Sequence, residues 1–336
     1  MDCNANRTRR RLAACARGLV ALAVATASAT TLAQEPYPSR PIRIIVSFPP
    51  GGAVDTLIRT IAPDLGTQLG QPIVVEYKPG GGAQIAASTL MTAPADGYTL
   101  LASEIGAFSI NPTLYRKLSY QPVRDFEGVA MLVRTPMVMY GSATGKINSL
   151  KALKDTLAAG APTSTNYGSF GAGTAPHILG HLLALANPKA SFVHVPYKGP
   201  QPATQAMMAN EIDLLFDGVP GTLNMTRSGR AVALGVAASE RSPYLPDVPT
   251  TAELGYPQMV MDLWIGVVAR KGTPAPIVAK LHDAFEKAIA NPETWRRFSE
   301  LGYSRVPMSS AQFNAFIKDE IDRFRPIIIE TGAVVD

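Results

Sequence analysis

The sequence predicts an α/β protein built as two lobes. The chain has 336 residues, which is longer than a single domain usually grows, and 46% of them are hydrophobic, enough for a packed core. Short apolar runs alternate with helix-type patterns along the chain. Strand–helix alternation of this kind is typical of a parallel, doubly wound sheet. Two successive cycles of the alternation, followed by a helical end, indicate the two lobes.

The first cycle lies between residues 42 and 103. Apolar runs at 42–47, 73–77 and 99–103 predict three buried strands. Helix patterns at 53–69 and 83–93 fill the intervals between them. The first cycle therefore predicts a β-α-β-α-β arrangement with its sheet inside.

The second cycle begins near residue 137 and ends in helices. A serine at position 149 has the residue type and place of a helix N-cap. The predicted strands are 137–140, 192–195, 213–216, 232–236 and 263–268. The predicted helices are 149–159, 174–186, 276–290, 292–301 and 309–324. The proline-rich segment 243–257 is expected to be a surface connection.

The first 33 residues have the order of a secretory signal peptide. Four arginines lie within residues 1–11, an apolar stretch follows at 18–25, and small residues lead to Ala33. The apolar stretch is too short for a membrane-spanning helix. We expect cleavage after Ala33 and a periplasmic product. The arginine run is compatible with either the general secretory or the twin-arginine route.

The charge and cysteine content of the remaining chain exclude several function classes. The whole chain carries a net charge of +5, and removal of residues 1–33 lowers it to +1. No Lys/Arg run remains, which argues against a nucleic-acid partner. Both cysteines, Cys3 and Cys15, lie in the leader, so thiol catalysis, iron–sulfur clusters and cysteine–zinc sites are excluded. No cofactor is expected.

Two glycine-rich turns, 48–55 and 167–174, each precede a predicted helix. Glycines let the backbone adopt positive φ and let a ligand approach closely. The first N–H groups of a helix have no partner within it, and the helix dipole favours an anion there. One such turn in each lobe predicts a cleft for a carboxylate or phosphate, and the alternative is two ordinary loops. Asp55 either binds a donor on the ligand or caps its helix, and capping is favoured.

Several enzyme motifs are incomplete. A nucleophile elbow around Ser169 would need glycine where Tyr167 stands. The segment 141–146 is one residue short of a phosphate-binding P-loop, and Pro176 occupies the third glycine position of a dinucleotide fingerprint. These gaps argue against an enzyme.

The histidines allow a second comparison with known motifs. His177 and His181 share one face of a predicted helix, but the glutamate of a zinc-protease motif and a third ligand are missing. No metal is therefore expected. A secreted hydrolase that uses Ser169 with His177 or His194 is a minor alternative.

An ordered series of segments gives a family resemblance. The most distinctive is Phe48-Pro-Pro-Gly-Gly-Ala-Val-Asp55. The others are 37–46, 76–82, 95–100, 168–177, 195–199, 213–217 and 272–274. Together they span most of the chain after the leader. The chain resembles the extracytoplasmic solute receptors of tripartite tricarboxylate transporters, the Bug family of periplasmic binding proteins.

The resemblance implies a fold and a domain division. The fold is an α/β, two-lobed periplasmic binding protein of type II, a Venus flytrap with a hinge of crossover strands. Residues 1–33 are the signal peptide. Lobe 1 takes residues 34–134 and 260–336, and lobe 2 takes residues 135–259.

The resemblance also implies a function without catalysis. A monomeric receptor would capture a small carboxylated ligand, either an amino acid, a nicotinate-type acid or a di- or tricarboxylate, and deliver it to membrane transporter subunits. The alternative partner is a membrane sensor that recognises the liganded form. By resemblance, together with the two turns, the ligand-binding residues are Phe48, Pro50, Gly51, Gly52, Ala53, Asp55, Ser103, Gly168, Ser169, Gly171, Gly173, Thr174, His177, Tyr197 and Asp217.

Overall fold

The computed structural model describes residues 36–160 and 164–332. The predicted signal peptide lies outside the described residues. Every element below belongs to the compact unit that begins at Arg40. Among the described helices, none combines the length and the apolar character needed to cross a bilayer.

The described residues form nine strands, which alternate with helices as the sequence predicts. The strands are β1 (Ile42–Val46), β2 (Ile73–Tyr77), β3 (Thr99–Glu104), β4 (Phe126–Ser142), β5 (Ser164–Ser169), β6 (Ser191–Pro196), β7 (Leu215–Gly218), β8 (Ala231–Val236) and β9 (Asp262–Arg270). The predicted strands in the first cycle match β1, β2 and β3 to within one residue at each end.

The α-helices lie between and after these strands. They are α1 (Ala53–Leu69), α2 (Gln84–Thr92), α3 (Asn111–Leu114), α4 (Pro122–Asp125), α5 (Leu150–Ala159), α6 (Ala175–Ala186), α7 (Pro200–Met208), α8 (Val219–Arg227), α9 (Ala275–Ala290), α10 (Pro292–Leu301) and α11 (Ser310–Thr331). The side chain of Ser149 accepts a hydrogen bond from the N–H of Ala152, which confirms the predicted N-cap of α5.

The main sheet contains seven of the described strands and is mixed rather than parallel throughout. Its order is β2-β1-β3-β9-β4-β7, and β8 also pairs with β4. Strand β1 is parallel to β2 and β3, whereas β9 is antiparallel to β3 and β4. Within the main sheet, the expected parallel arrangement therefore holds only for β1 to β3. After β8 the chain returns to the middle of the main sheet as β9, which lies between β3 and β4 and runs antiparallel to β3.

The long strand β4 connects the two halves of the fold. Its first part pairs with β9, from Phe126 opposite Arg270 to Pro136 opposite Asp262. Its last part pairs with β7 and β8. We call the part built on β1 to β3 the first lobe and the part built on β5 to β8 the second lobe. Strands β4 and β9 form the crossover between them.

The second lobe contains a further two-stranded sheet. Strands β5 and β6 run parallel, with Tyr167 opposite His194 and Gly168 opposite Val195. Helix α6 packs against both strands and against β7. The start of the glycine-rich segment 167–174 is thus strand, and the turn itself occupies residues 170–174.

Trp264 packs the crossover strand β9 against the C-terminal helix α11. This β9 residue is 1% exposed, and its ring stacks on Phe108 with 5.7 Å between centroids. The ring also meets the edge of Phe313 on α11, and its Nε1–H donates to Glu320 at 3.1 Å. Buried aromatic rings contribute strongly to packing, and a buried indole N–H requires a partner. Helix α11 is thereby held against the crossover strand.

Candidate functional site

A cavity of about 600 Å³ is bordered by both lobes. The first lobe contributes the turn before α1, the first turn of α1 and Glu104. The second lobe contributes Phe170 and the starts of α7 and α8. The lining residues are Phe48, Gly51, Gly52, Ala53, Val54, Thr56, Leu57, Glu104, Phe170, Pro200, Gln201, Thr204, Gln205, Asp217, Gly218, Pro220, Gly221, Leu263, Phe298, Leu301 and Tyr303.

The first glycine-rich turn is organised by Asp55. The N–H of Gly51 donates to Asp55 Oδ2 at 2.7 Å, and the hydroxyl of Tyr77 donates to Asp55 Oδ1 at 2.7 Å. Asp55 is buried at 5% exposure. Both carboxylate oxygens therefore bind groups of the protein, so Asp55 has a structural role but holds the turn rather than capping the helix as favoured. Gly52 is the N-cap residue of α1, and no side chain caps its first turn.

This arrangement leaves the start of α1 open to the cavity. Ala53 and Val54 line the cavity, and their N–H groups lie in the first helical turn, where no partner exists within the helix. The helix dipole adds a positive potential at the same point. The start of α1 can therefore bind an anion through main-chain donors.

Gly51 also permits a close approach of the second lobe. Its φ is +89°, a conformation that favours glycine. A Cβ at this position would collide with Nε2 of Gln201, at the start of α7. The turn and α7 thus share one border of the cavity.

The second glycine-rich turn uses its polar groups internally. The N–H of Gly171 donates to Ser169 Oγ at 3.2 Å, and the N–H of Gly173 donates to His177 Nδ1 at 3.3 Å. The N–H of Thr174 donates to the carbonyl oxygen of Gly171 at 3.3 Å, and its hydroxyl donates to the same oxygen at 2.7 Å. Phe170 is the residue of this turn that lines the cavity.

The second turn also contacts the first lobe. The hydroxyl of Tyr115 donates to the carbonyl oxygen of Ala172 at 3.0 Å. A Cβ at Gly106 would lie 2.8 Å from the carbonyl oxygen of Gly173, which shows how closely the two backbones approach. The turn therefore forms a contact between the lobes.

Three imidazoles lie beside the second turn. Ser169 Oγ and His194 Nε2 are 2.7 Å apart, and the rings of His177 and His194 stack with 4.3 Å between centroids. Burial, and to a smaller extent the nearby imidazoles, lower the pKa of His177 to about 3 and that of His194 to about 4. The pKa of His181 is lowered by burial as well. The cluster is neutral at pH 7 and part of the packed second lobe.

Two carboxyl groups lie in the wall of the cavity. Glu104 ends β3, is 5% exposed, and its Oε1 has no hydrogen-bond partner among the described residues. Asp217 lies in β7 and accepts a hydrogen bond from the N–H of Gly218 at 2.8 Å. Its carboxylate rests on Gly221, where a Cβ would collide with Oδ2.

The environment of these two carboxyls disfavours their charge. Burial, and to a smaller extent the negative charge of Asp217, raise the pKa of Glu104 to about 8. Burial raises the pKa of Asp217 to about 7, and the hydrogen bond from Gly218 opposes the rise. No Lys, Arg or His side chain is among the described residues that line the cavity. The pair therefore has no counter-charge in the cavity wall.

The remaining lining is neutral and largely apolar. Phe48, Phe170 and Phe298 present aromatic rings, and Gln201 and Thr204 on α7 present neutral polar groups. Burial raises the pKa of the Tyr303 hydroxyl, which therefore stays protonated. The cavity suits a ligand with an apolar body and polar ends.

The residues predicted from the sequence divide into three groups. Phe48, Gly51, Gly52, Ala53 and Asp217 line the cavity. Pro50 is exposed, Asp55 holds the first turn, and the hydroxyl of Ser103 pairs with that of Ser47 at 2.7 Å. The others lie in or beside the second turn, outside the lining: Gly168, Ser169, Gly171, Gly173, Thr174, His177 and Tyr197. Direct ligand contact by this second group stays a prediction.

Other lining residues were not predicted. Glu104 follows Ser103 at the carboxyl end of a strand, which is where α/β folds place ligands. Gln201 and Thr204 follow the segment 195–199 that carried the family resemblance. Glu104, Gln201 and Thr204 could have been found from their positions next to these predicted segments. Phe298 and Tyr303 carried no such signal.

Comparison with known proteins identifies the family. Residues 57–333 match the model of the tripartite tricarboxylate transporter family receptor. The Bordetella pertussis protein BugT is 34% identical over 317 residues, which cover 94% of this chain and 97% of BugT. This chain belongs to the tripartite tricarboxylate transporter receptor family.

Solved structures place the receptor among two-lobed periplasmic binding proteins. The periplasmic binding protein BugD has a TM-score of 0.83 and 31% identity, with 89% of this receptor and 99% of BugD covered. MatC of Rhodopseudomonas palustris, with bound malate, has a TM-score of 0.81 and 31% identity, with coverages of 87% and 100%. The R. palustris protein Rpa4515, with adipate, has a TM-score of 0.82 and 28% identity, with coverages of 88% and 98%.

These relatives confirm the predicted fold class and decide between receptor and enzyme. They are solute-binding receptors, so the hydrolase alternative is wrong for this chain. The pair of Ser169 and His194 agrees with that result, because Ser169 is fully buried and lies outside the cavity lining. The receptor binds a solute and does not transform it.

Proposed function

We propose that this receptor captures a small carboxylated solute in the cavity between its lobes and delivers it to a tripartite tricarboxylate-type membrane transporter. The start of α1 carries the proposal. The start of this helix borders a mostly apolar cavity, and main-chain donors can bind a carboxylate without a buried arginine and its desolvation cost.

Known ligands of the structural relatives support the proposal. MatC was solved with malate and Rpa4515 with adipate, and both ligands are small carboxylates. A cavity of about 600 Å³ lies within the usual size range of small-molecule sites. The fold and the volume therefore agree with a small organic acid as the solute.

Closure of the two lobes would couple binding to recognition. The proposed lobes are residues 34–134 with 260–336, and residues 135–259, which meet through β4 and β9. A solute that contacts both lobes binds the closed form better and shifts the population toward it. The closed receptor is then the form that the membrane subunits recognise. Export by the predicted signal peptide would place it in the periplasm.

A thermal-shift screen tests the capture step. Purified receptor is heated with a panel of small carboxylic acids, each at several millimolar, and with the primary amides of the same acids as controls. A ligand at ~100 times its dissociation constant stabilises a protein by about 2.7 kcal/mol. We expect at least one acid to raise Tm and its amide to have no effect. A panel in which no acid raises Tm contradicts the proposal.

A pull-down tests the delivery step. Immobilised receptor is incubated with detergent-solubilised membranes of the native host, with and without the acid found in the screen. We expect transporter subunits to be retained in a ligand-dependent way. Retention of a membrane sensor instead would assign the receptor to signalling.

A further inference from the structure

We infer that the solute carries a protonated amine as well as its carboxylate, and that Glu104 and Asp217 together bind this amine. The inference rests on the proposed function and names the substrate class of the same cavity: amino-carboxylic acids with an apolar body. Glu104 comes from the first lobe and Asp217 from the second, so an amine held by both would bridge the lobes.

Glu104 has unused hydrogen-bonding capacity. Its side chain is 95% buried, yet Oε1 has no partner among the described residues. Buried polar atoms in native proteins are nearly always hydrogen-bonded, since an unpaired one is costly. A carboxylate accepts hydrogen bonds, so the missing partner is a donor. Glu104 lines the cavity, so a donor on the solute would approach it from that side.

Among the described residues, the titratable side chains of the cavity wall include acids but no bases. Two carboxyls line it, and the described lining holds no Lys, Arg or His side chain. The other titratable groups near the pair are the hydroxyls of Tyr303 in the lining and Tyr140 in β4, and both are buried. A cation is therefore the complement that this part of the wall lacks.

The possible anion donors and the carboxyl pair belong to different elements of the cavity wall. The main-chain donors are at the start of α1, whereas the carboxyl pair is at the ends of β3 and β7. The lining also includes the apolar side chains of Leu57, Phe170 and Leu263. A zwitterion with an apolar body matches both the donors and the carboxyl pair. A simple dicarboxylate would place its second negative charge near two acidic groups.

The experiment compares acids that differ only in the amine. Matched pairs are phenylalanine with 3-phenylpropanoate, leucine with 4-methylpentanoate, and glutamate with glutarate, and the other common amino acids complete the panel. Binding is measured by calorimetry at pH 8. We expect at least one amino acid to bind at least 10-fold more tightly than its amine-free partner. Equal or tighter binding of the amine-free partner in every pair overturns the inference and leaves the proposed function intact.

Two substitutions assign the amine to the carboxyl pair. Glu104→Gln and Asp217→Asn each retain size and remove the charge, so we expect a loss of at least 10-fold for the amino acid and no loss for its amine-free partner. Asp64→Asn on α1, outside the cavity lining, is the matched control and should retain the wild-type ratio. Unchanged amino-acid affinity in both cavity variants overturns the inference. If no acid of either kind binds, the proposed function itself is wrong.

Discussion

The two glycine-rich turns have similar sequences but different structural roles. In the turn at 48–55, Asp55 accepts a hydrogen bond from the N–H of Gly51, and Ala53 and Val54 of the first helical turn line the cavity. In the turn at 170–174, the corresponding donors bind Ser169, His177 and Gly171 within the lobe. A glycine-rich turn before a helix is thus available to a ligand only where nearby side chains leave its N–H groups unpaired.

The buried titratable groups near the two turns shift in opposite directions. Glu104 and Asp217 at the cavity have raised pKa values, so they favour the neutral acid. His177 and His194 beside the second turn have lowered pKa values, so they favour the neutral base. Charge is disfavoured at both places, but alkaline pH brings it to the first and acidic pH to the second.

The largest expected effect is at the first turn. Gly52→Leu places a bulky side chain between the start of α1 and Pro200, and we expect at least a 100-fold loss of affinity for the acid found in the screen. The backbone at Gly52 is extended, so the protein should still fold, as circular dichroism can verify. Gly52→Ala is the graded control, because its Cβ would lie 3.4 Å from Pro200 and fits. Affinity within threefold of wild type in the leucine variant would contradict the role of this turn.

The carboxyl pair should make the unliganded protein less stable at alkaline pH. The folded pKa of Glu104, about 8, exceeds that of an unfolded glutamate, so the folded state holds more protons and loses stability as pH rises from about 4.5 to 8. We expect Glu104→Gln to be more stable than wild type at pH 8.5 by roughly 1–3 kcal/mol and equal to it at pH 4.5. Urea unfolding at both pH values measures this. A variant less stable than wild type at pH 8.5 would contradict the assignment.

At the second turn, a glycine substitution should affect stability more than binding. Gly171 has a φ of +121°, so Gly171→Ala strains the backbone and should cost about 1–3 kcal/mol of unfolding free energy. Because the N–H groups of this turn are paired internally, we expect the affinity for the acid to change less than threefold. Gly229→Ala, with a φ of +69° and open space around it, is the control for strain outside the turn. A 100-fold loss of affinity in the Gly171 variant would instead support the predicted contact of this turn with the ligand.

The smallest effect is expected for Ser169→Ala. The substitution removes the hydrogen bond to His194 and an acceptor for the N–H of Gly171, so we expect a loss of about 1 kcal/mol in urea unfolding. The affinity should remain within twofold of wild type, since Ser169 lies outside the cavity lining. Loss of binding without loss of stability would show that the hydroxyl acts on the solute instead.

Local sequence patterns predicted the elements of the first lobe well. Elements that depend on long-range strand pairing were predicted less well. Helix α1 has the predicted bounds because its apolar residues repeat at helical spacing over 17 positions. The first half of β4 was missed, since Glu127, Arg134 and Pro136 interrupt its apolar pattern. That half is a strand because β9, more than 120 residues later, pairs with it.

The parts of the site that were predicted are those whose residues are neighbours in the chain. The turn at 48–55 was found because glycines, a helix start and an acidic residue follow one another in the chain. The pairing of the second turn with His177 and Ser169 depends on side-chain orientations that no pattern specifies. Glu104 and Tyr303 meet in one cavity although about 200 residues separate them.

Trp264 gives the receptor an internal optical reporter. Its indole lies on a crossover strand next to Leu263 of the cavity lining, and it contacts the rings of Phe108 and Phe313. A hinge movement that shifts Phe108 or Phe313 relative to the indole would change its emission without an added dye. Stopped-flow fluorescence of the unmodified protein could then follow closure in real time.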